Sequence, residues 1–143
     1  PDDDETSIVH GDYRLDNMIL KNNQVMGILD WELSTLGHPI ADFSYHCLSW
    51  RTQEAFWDQA KLKELGVPSE KEYMDMYCEN TGKDLSKNWE FYMAFNMFKI
   101  AGILQGILGR VRDGTAASKH AEDRGMMVYP LSEAAWNTIK ENF

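Results

Sequence analysis

Two short apolar runs, each leading into an acidic loop, constrain the fold of this chain more than any other feature. The first run, Ser7 to Val9, is followed by His10-Gly11-Asp12, and the second run, Val25 to Leu29, is followed by Asp30. Short runs of apolar and β-branched residues bounded by polar residues are typical of β-strands. Each acid is therefore expected in a loop at the end of a strand.

The second run is also predicted to form one arm of a β-hairpin. Residues 18–20 and 25–29 are apolar and flank the polar segment Lys21-Asn22-Asn23-Gln24, which is a hairpin pattern with a polar turn. Asn17 would enter this hairpin at its base and Asp30 would leave it there, so their side chains become neighbours. Asp12 lies on the loop just before the hairpin. Three oxygen-bearing side chains are thus expected to converge.

That convergence has a chemical use. Mg²⁺ takes oxygen ligands, commonly one or two carboxylates together with phosphates and water, so Asp30 and Asn17 suit this ion. A further carboxylate held close to the metal, here Asp12, can accept a proton from a hydroxyl, as in phosphoryl transfer. The simpler alternative is that each acid is an ordinary surface residue in a turn, and for Asp16 that is the expected role.

The same residues carry a resemblance to a known family. His10-Gly11-Asp12 with Asn17 five residues after the Asp, then Leu29-Asp30-Trp31-Glu32, and then residues 37–42 (GHPIAD) resemble the aminoglycoside phosphotransferase and choline kinase family. The sequences of these motifs are most similar to those of phosphotransferase-like domains related to the ones fused to acyl-CoA dehydrogenases. The resemblance implies an α+β fold, mainly α: the C-terminal lobe of a protein-kinase-like fold, with catalytic loop and β-hairpin packed on a helical bundle.

The resemblance also implies roles for individual residues. Asp12 would be the catalytic base, while Asn17 and Asp30 would bind Mg²⁺ and, with it, ATP. Arg14 would touch the transferred phosphate, although it could instead pair with a nearby acid. Three further residues would support the site: His10 by bracing the loop, Glu32 by assisting the metal or forming a salt bridge, and Asp42 by accepting backbone N–H bonds from the loop.

The implied function is transfer of the γ-phosphate of Mg-ATP to a hydroxyl of a small molecule. Aminoglycosides, choline-like alcohols and hydroxyacyl compounds are all compatible acceptors, and the alternative is a non-catalytic kinase-like binding or assembly module. The net charge of −9, with 23 acids against 14 Lys and Arg, argues against nucleic acid or an anionic membrane surface as a partner. Two cysteines far apart in sequence, Cys47 and Cys78, favour a reducing, cytoplasmic setting.

A single partial domain is expected over residues 1–143. Residues 1–6 would be an acidic tail, residues 7–32 the catalytic loop and metal-binding hairpin, and residues 39–143 a helical subdomain. Only nine residues precede His10 and they contain no glycine-rich loop, so the small N-terminal lobe that the resemblance implies is expected to be absent. The fragment alone would then be inactive, its partner would be that lobe, and its exposed face could form a homo-oligomer.

The rest of the chain is predicted to be helical. The helices are expected at residues 37–50, 54–65, 69–82, 86–112 and 117–142, the third opened by the capping box of Ser69 and Glu72 and the last bent at Pro130. Tyr45 is placed in an apolar stripe of the first helix, and Gly102 with Gly106 is expected to allow close approach of another helix. Because Lys99 interrupts the long apolar helix, a soluble core helix is favoured over a membrane span.

Overall fold

The computed structural model describes residues 5–52 and 59–143, which form short strands first and helices afterwards. The strands are β1 (Ser7–Val9), β2 (Met18–Lys21), β3 (Gln24–Ile28) and β4 (Thr35–Gly37). The helices are α1 (Pro39–Thr52), α2 (Gln59–Glu64), α3 (Glu70–Thr81), α4 (Trp89–Arg112), α5 (Ala121–Met126) and α6 (Val128–Asn142). The chain divides into two compact units, Pro1–Trp89 and Glu90–Phe143.

The predicted hairpin is present as β2 and β3. The two strands are antiparallel, with Met18 opposite Ile28 and Lys21 opposite Gln24. The turn is one residue shorter at each end than predicted, because only Asn22 and Asn23 lie outside the strands, with φ of 51° and 60°. Two left-handed residues in succession form the turn that best matches the twist of paired strands, and Asn tolerates this conformation.

A second strand pair was not predicted. β1 pairs antiparallel with β4, with Ser7 opposite Gly37 and Val9 opposite Thr35. This pairing brings the segment after Asp30 back beside the strand that leads into the loop carrying Asp12. Gly37 permits the close approach, since a Cβ there would lie 3.2 Å from Cγ2 of Val9.

Helix α1 supplies the centre of the first unit. Its buried residues are Ile40, Phe43, Ser44, Cys47 and Leu48. The ring of Phe43 stacks on Tyr77 of α3 at 3.9 Å between centroids and lies 5.7 Å from Trp89. α3 begins with the predicted capping box at Ser69 and ends at Gly82, so its bounds are confirmed. Of the helix predicted over residues 54–65, Gln59–Glu64 is helical, and residues 54–58 lie outside the described part.

Two helices of the second unit approach each other closely at a glycine. The prediction placed this contact at the wrong glycines. A side chain at Gly102 would meet nothing within 4 Å, and one at Gly106 would meet only the guanidinium of Arg110. The close approach occurs instead at Gly125 of α5, where a Cβ would lie 2.5 Å from Cδ2 of Leu108 on α4. The spacing of two glycines indicated a contact surface, but neighbouring helices decide which glycine is used.

The C-terminal helix is interrupted at Met127, not bent at Pro130. α5 ends at Met126 and α6 begins at Val128, so Pro130 falls in the first turn of α6. The prediction of a bend there was wrong because the first turn of a helix tolerates proline, whose missing N–H would have had no helical partner. Met126 and Met127, at the interruption, are exposed, whereas Val128 and Leu131 are buried.

Helix α4 is long and apolar enough, by length and composition alone, to cross a membrane. An 18-residue window has a mean hydropathy of 1.3, and 33% of that window is buried. A core helix of a soluble protein passes the same test. The sequence-based preference for a core helix therefore stays a prediction.

Candidate active site

The loop that carries Asp12 is fixed from the first turn of α1. Asp42 accepts a hydrogen bond from the backbone N–H of His10 through Oδ2, and one from the N–H of Gly11 through Oδ1, at 2.8 Å. One carboxylate therefore satisfies two successive backbone donors where the chain leaves β1. Such bonds to a charged acceptor are stronger than those between neutral groups, so α1 holds the loop in one conformation.

His10 ties this loop to the end of β3, at the base of the hairpin. Its Nε2 lies 2.8 Å from the carbonyl oxygen of Leu29, and its Nδ1 lies 3.2 Å from the backbone N of Asp12. Because Nδ1 accepts from the Asp12 N–H, the ring is assigned as neutral with its proton on Nε2, donated to Leu29. The ring is 2% exposed and lies 4.7 Å from that of Trp31. The two acidic loops are thus linked through one buried side chain.

Asp12 is held at both carboxylate oxygens. Oδ1 accepts the hydroxyl of Tyr45 at 2.7 Å, and Oδ2 accepts Nδ2 of Asn17 at 2.9 Å. Partial burial raises the pKa of Asp12, but the hydrogen bonds from Tyr45 and Asn17 and the charge of Arg14 outweigh burial and hold it below its ordinary value. Asp12 is therefore ionised at neutral pH.

Sequence reasoning missed Tyr45, which it placed in an apolar stripe. A usable signal existed: Tyr45 follows Asp42 by three residues, which puts both side chains on one face of a helix. Since Asp42 was expected to face the loop, Tyr45 could have been expected there too.

At the base of the hairpin, Asn17 is bonded to the residue that precedes Asp30. The backbone N–H of Leu29 donates to the carbonyl oxygen of Asn17 at 2.8 Å, so Asp30 follows directly after a residue bonded to Asn17. The side-chain Nδ2 of Asn17 is used by Asp12, which leaves Oδ1 as the donor atom toward a cation. Asp30 is exposed and left-handed, with φ of 65°. In the described part of the chain, its carboxylate has no hydrogen-bond or ion-pair partner.

This donor set fits Mg²⁺. Both side chains offer hard oxygen atoms, as the ion requires. Across residues 5–52 and 59–143, no group of three His, Cys, Asp or Glu side chains could hold a metal by itself. A metal at Asn17 and Asp30 would therefore depend on phosphate and water oxygens for the rest of its shell, which is the usual arrangement for Mg²⁺ with a nucleotide.

Two predicted site residues lie at the surface. The guanidinium of Arg14 forms a salt bridge of 2.9 Å with Asp16, and their side chains are 52% and 77% exposed. An exposed pair of this kind contributes about 0–1 kcal/mol, so Arg14 can exchange this partner for another anion at little cost. Glu32 is exposed in the short 3₁₀ turn Trp31–Leu33. The roles of both residues stay predictions.

Gly11 gives the site a testable steric requirement. Its φ is +83°, and a Cβ there would lie 2.6 Å from the carbonyl oxygen of Leu33, an atom of the backbone. Gly11→Ala is expected to destabilise the fold by about 2–5 kcal/mol, the sum of the left-handed backbone cost and an overpacking cost. Gly66→Ala is the matched control, since Gly66 has φ of +76° and a Cβ there would meet no atom of the described residues within 4 Å. Urea denaturation of both variants measures the difference, and equal losses would contradict the steric argument.

Comparison with known proteins shows which family the sequence belongs to. Residues 1–77 match the sequence model of the phosphotransferase enzyme family. The chain is 42% identical over 151 residues to acyl-CoA dehydrogenase family member 10 of Mus musculus, covering 100% of this chain and 14% of that protein. It is 37% identical over 150 residues to family member 11 of Homo sapiens, covering 100% and 19%. The chain thus spans less than a fifth of the length of these relatives.

A solved structure gives the same answer for the fold. The chain is 48% identical to a protein of Ralstonia eutropha provisionally described as an aminoglycoside phosphotransferase, with a TM-score of 0.87, covering 96% of this chain and 44% of that one. The predicted fold class, a mainly helical α+β lobe of the protein-kinase-like type, is confirmed. The resemblance read from the motifs around Asp12 and Asp30 is likewise confirmed, and the chain belongs to the phosphotransferase enzyme family.

Proposed function

We propose that this chain carries the catalytic loop of a small-molecule kinase, which moves the γ-phosphate of Mg-ATP to a hydroxyl group. The observation that supports this most is the bonded pair of Asp12 and Asn17, joined through the base of the hairpin to the exposed carboxylate of Asp30. A proton acceptor and two metal-compatible oxygen donors thus lie on connected elements. These are the groups that phosphoryl transfer requires from this part of a kinase.

The proposed roles follow from the contacts. The ionised Asp12 accepts the proton of the acceptor hydroxyl, while the acceptor oxygen bonds to the γ-phosphorus and the bond from phosphorus to the ADP oxygen breaks. Asn17 orients Asp12 through Nδ2 and would hold the metal through Oδ1, together with Asp30. Mg²⁺ in this position would neutralise charge on the phosphates. Arg14, whose salt bridge to the exposed Asp16 is weak, would turn toward the transferred phosphate.

The proposal identifies the acceptor by its reacting group, a hydroxyl. The solved relative is described as an aminoglycoside phosphotransferase, and the sequence relatives are acyl-CoA dehydrogenase family members. Aminoglycosides, choline-like alcohols and hydroxyacyl thioesters therefore form the panel to be tested. All three present a hydroxyl to the base, and the acidic chain, with a net charge of −9, is compatible with the cationic ones.

The test is transfer of radiolabelled γ-phosphate from ATP, with and without Mg²⁺, by the full-length protein. Each acceptor class is assayed separately and the phosphorylated product is identified by mass spectrometry. The proposal expects metal-dependent product with at least one class. Failure of the full-length protein to bind Mg-ATP would favour the alternative, a non-catalytic binding or assembly module.

The isolated chain is expected to bind ATP poorly and to transfer no phosphate. It spans 44% of the solved relative, and its residues before Asp12 include no glycine-rich loop to cover the phosphates. Positioning supplies most of the catalysis in phosphoryl transfer, so one lobe is insufficient.

The isolated chain is also expected to self-associate, because the hairpin exposes Leu20, Val25 and Met26, each by more than half. Calorimetry and light scattering measure both properties, and micromolar ATP binding by a monomer would overturn this expectation.

A further inference from the structure

One face of α1 contacts the catalytic loop residue by residue. Asp42, Tyr45 and His46 are spaced at i, i+3 and i+4, so they project from the same side of the helix. Asp42 bonds the backbone at the start of the loop, and Tyr45 bonds the side chain of Asp12. The ring of His46 lies 5.4 Å from that of Tyr13, the next residue in the loop. The helix therefore acts as a rigid support for the whole loop.

We propose that Tyr45 is a positioning residue for Asp12, whose hydroxyl holds the carboxylate in the single orientation in which Asn17 binds its other oxygen. This inference rests on the proposed function, since it assigns Tyr45 a part in the same reaction. It adds a residue to the site that the family motifs around Asp12, Asn17 and Asp30 do not include. Tyr45 acts through Asp12 and touches neither phosphate nor acceptor.

The geometry of the hydroxyl supports this role. Tyr45 is half-buried on a helix, and its hydroxyl oxygen lies 2.7 Å from Oδ1 of Asp12. Burial, together with the hydrogen bond to Asp12, raises the pKa of Tyr45 to about 12, although the charge of Arg14 acts against the rise. The hydroxyl therefore remains protonated at physiological pH and remains a donor. Tyr45 can therefore donate to Asp12 throughout the physiological pH range.

Without that bond Asp12 would keep only one side-chain tether. The amide of Asn17 would still donate to Oδ2, but Asn17 is itself on a short 3₁₀ turn, Leu15–Asn17, and is proposed to bind metal through its other atom. An aspartate side chain has three staggered χ1 wells. Two tethers from separate elements select one of these wells, whereas one tether on a short turn does not. Loss of the Tyr45 hydroxyl should therefore broaden the χ1 distribution of Asp12 while the chain stays folded.

The first experiment measures orientation without any reaction. In the isolated chain, labelled with ¹³C and ¹⁵N, three-bond couplings from Hα to the two Hβ protons of Asp12 report its χ1 distribution by NMR. We expect unequal couplings from one rotamer in the wild type and averaged couplings in Tyr45→Phe. Tyr73→Phe is the control, because Tyr73 is also half-buried and its hydroxyl forms no hydrogen bond within the described residues. Unchanged couplings in Tyr45→Phe would overturn the inference.

The second experiment measures the effect on turnover in the full-length protein, as phosphate release from Mg-ATP with water as acceptor. A base that occupies its correct rotamer for about a third of the time should lower kcat by about threefold in Tyr45→Phe, with KM for ATP within about twofold. Melting temperature, measured in parallel, should match that of Tyr73→Phe. A merely structural role would change stability and leave the turnover of the folded protein intact.

The Asp12→Asn variant separates the two possible failures. If Asp12→Asn releases phosphate as fast as the wild type, the proposed function of Asp12 is wrong, whatever Tyr45→Phe does. If Asp12→Asn is impaired while folded Tyr45→Phe keeps its kcat, the base is right and the inference about Tyr45 is wrong. Impairment of both, with the larger loss in Asp12→Asn, supports both.

Discussion

Asp12→Asn in the full-length protein is expected to lower kcat for phosphate transfer by about 10²–10⁴-fold, the usual value of general acid–base catalysis. The amide has the shape of the carboxylate and can still accept the hydroxyl bond from Tyr45. It cannot accept a proton from the acceptor. One of its atoms also becomes a donor facing the donor Nδ2 of Asn17, so a stability loss of about 1 kcal/mol is expected as well.

Steady-state kinetics with the best acceptor of the panel measures this loss, and the melting temperature shows whether the variant is folded. Asp113→Asn is the control, since it removes a charge from an exposed acid whose ion-pair partner among the described residues is Arg112. Its kcat should equal that of the wild type. A folded Asp12→Asn enzyme with unchanged kcat would mean that another group is the base, or that the reaction needs none.

The sequence predicted those features that local chemistry determines. The hairpin followed from two apolar runs around a polar turn, and the start of α3 from the capping box of Ser69 and Glu72. The family was indicated by the resemblance of the motifs around Asp12, Asn17, Asp30 and Asp42 to those of known phosphotransferases. In each case the information lies within a few residues of the chain.

The features that were missed depend on contacts between distant segments. β4 is only three residues long and is a strand because β1 lies beside it. Tyr45 was assigned to an apolar surface; its spacing from Asp42 indicated the side of the helix that faces the loop, but the contact of its hydroxyl with Asp12 depends on how helix and loop pack. Gly125, rather than Gly102 or Gly106, allows close approach because a leucine of another helix lies there. Each outcome needs the tertiary arrangement as well as the local pattern.

An ion pair that sequence reasoning did not single out is expected to contribute to the stability of the first unit. Glu70, at the start of α3, accepts from the guanidinium of Arg51 at the end of α1, with Nη2 2.6 Å from Oε1 and Nε 2.9 Å from Oε2. It also accepts the indole N–H of Trp89 at 2.7 Å. The side chains of Arg51 and Glu70 are only 27% and 21% exposed. One carboxylate thus joins three elements of this unit.

Glu70→Ala is therefore expected to lower the free energy of unfolding by about 2–4 kcal/mol, somewhat less than for a fully buried pair, because Arg51 and the Trp89 indole lose their acceptor. Glu70→Gln should lose less, since it keeps an acceptor for Trp89. Asp75→Ala is the control: it breaks an ion pair with Lys71 on the same helix, whose side chains are 56% and 82% exposed, and should cost about 0–1 kcal/mol. Urea denaturation followed by circular dichroism gives all three values. If Glu70→Ala costs no more than Asp75→Ala, the half-buried network does not hold these elements together.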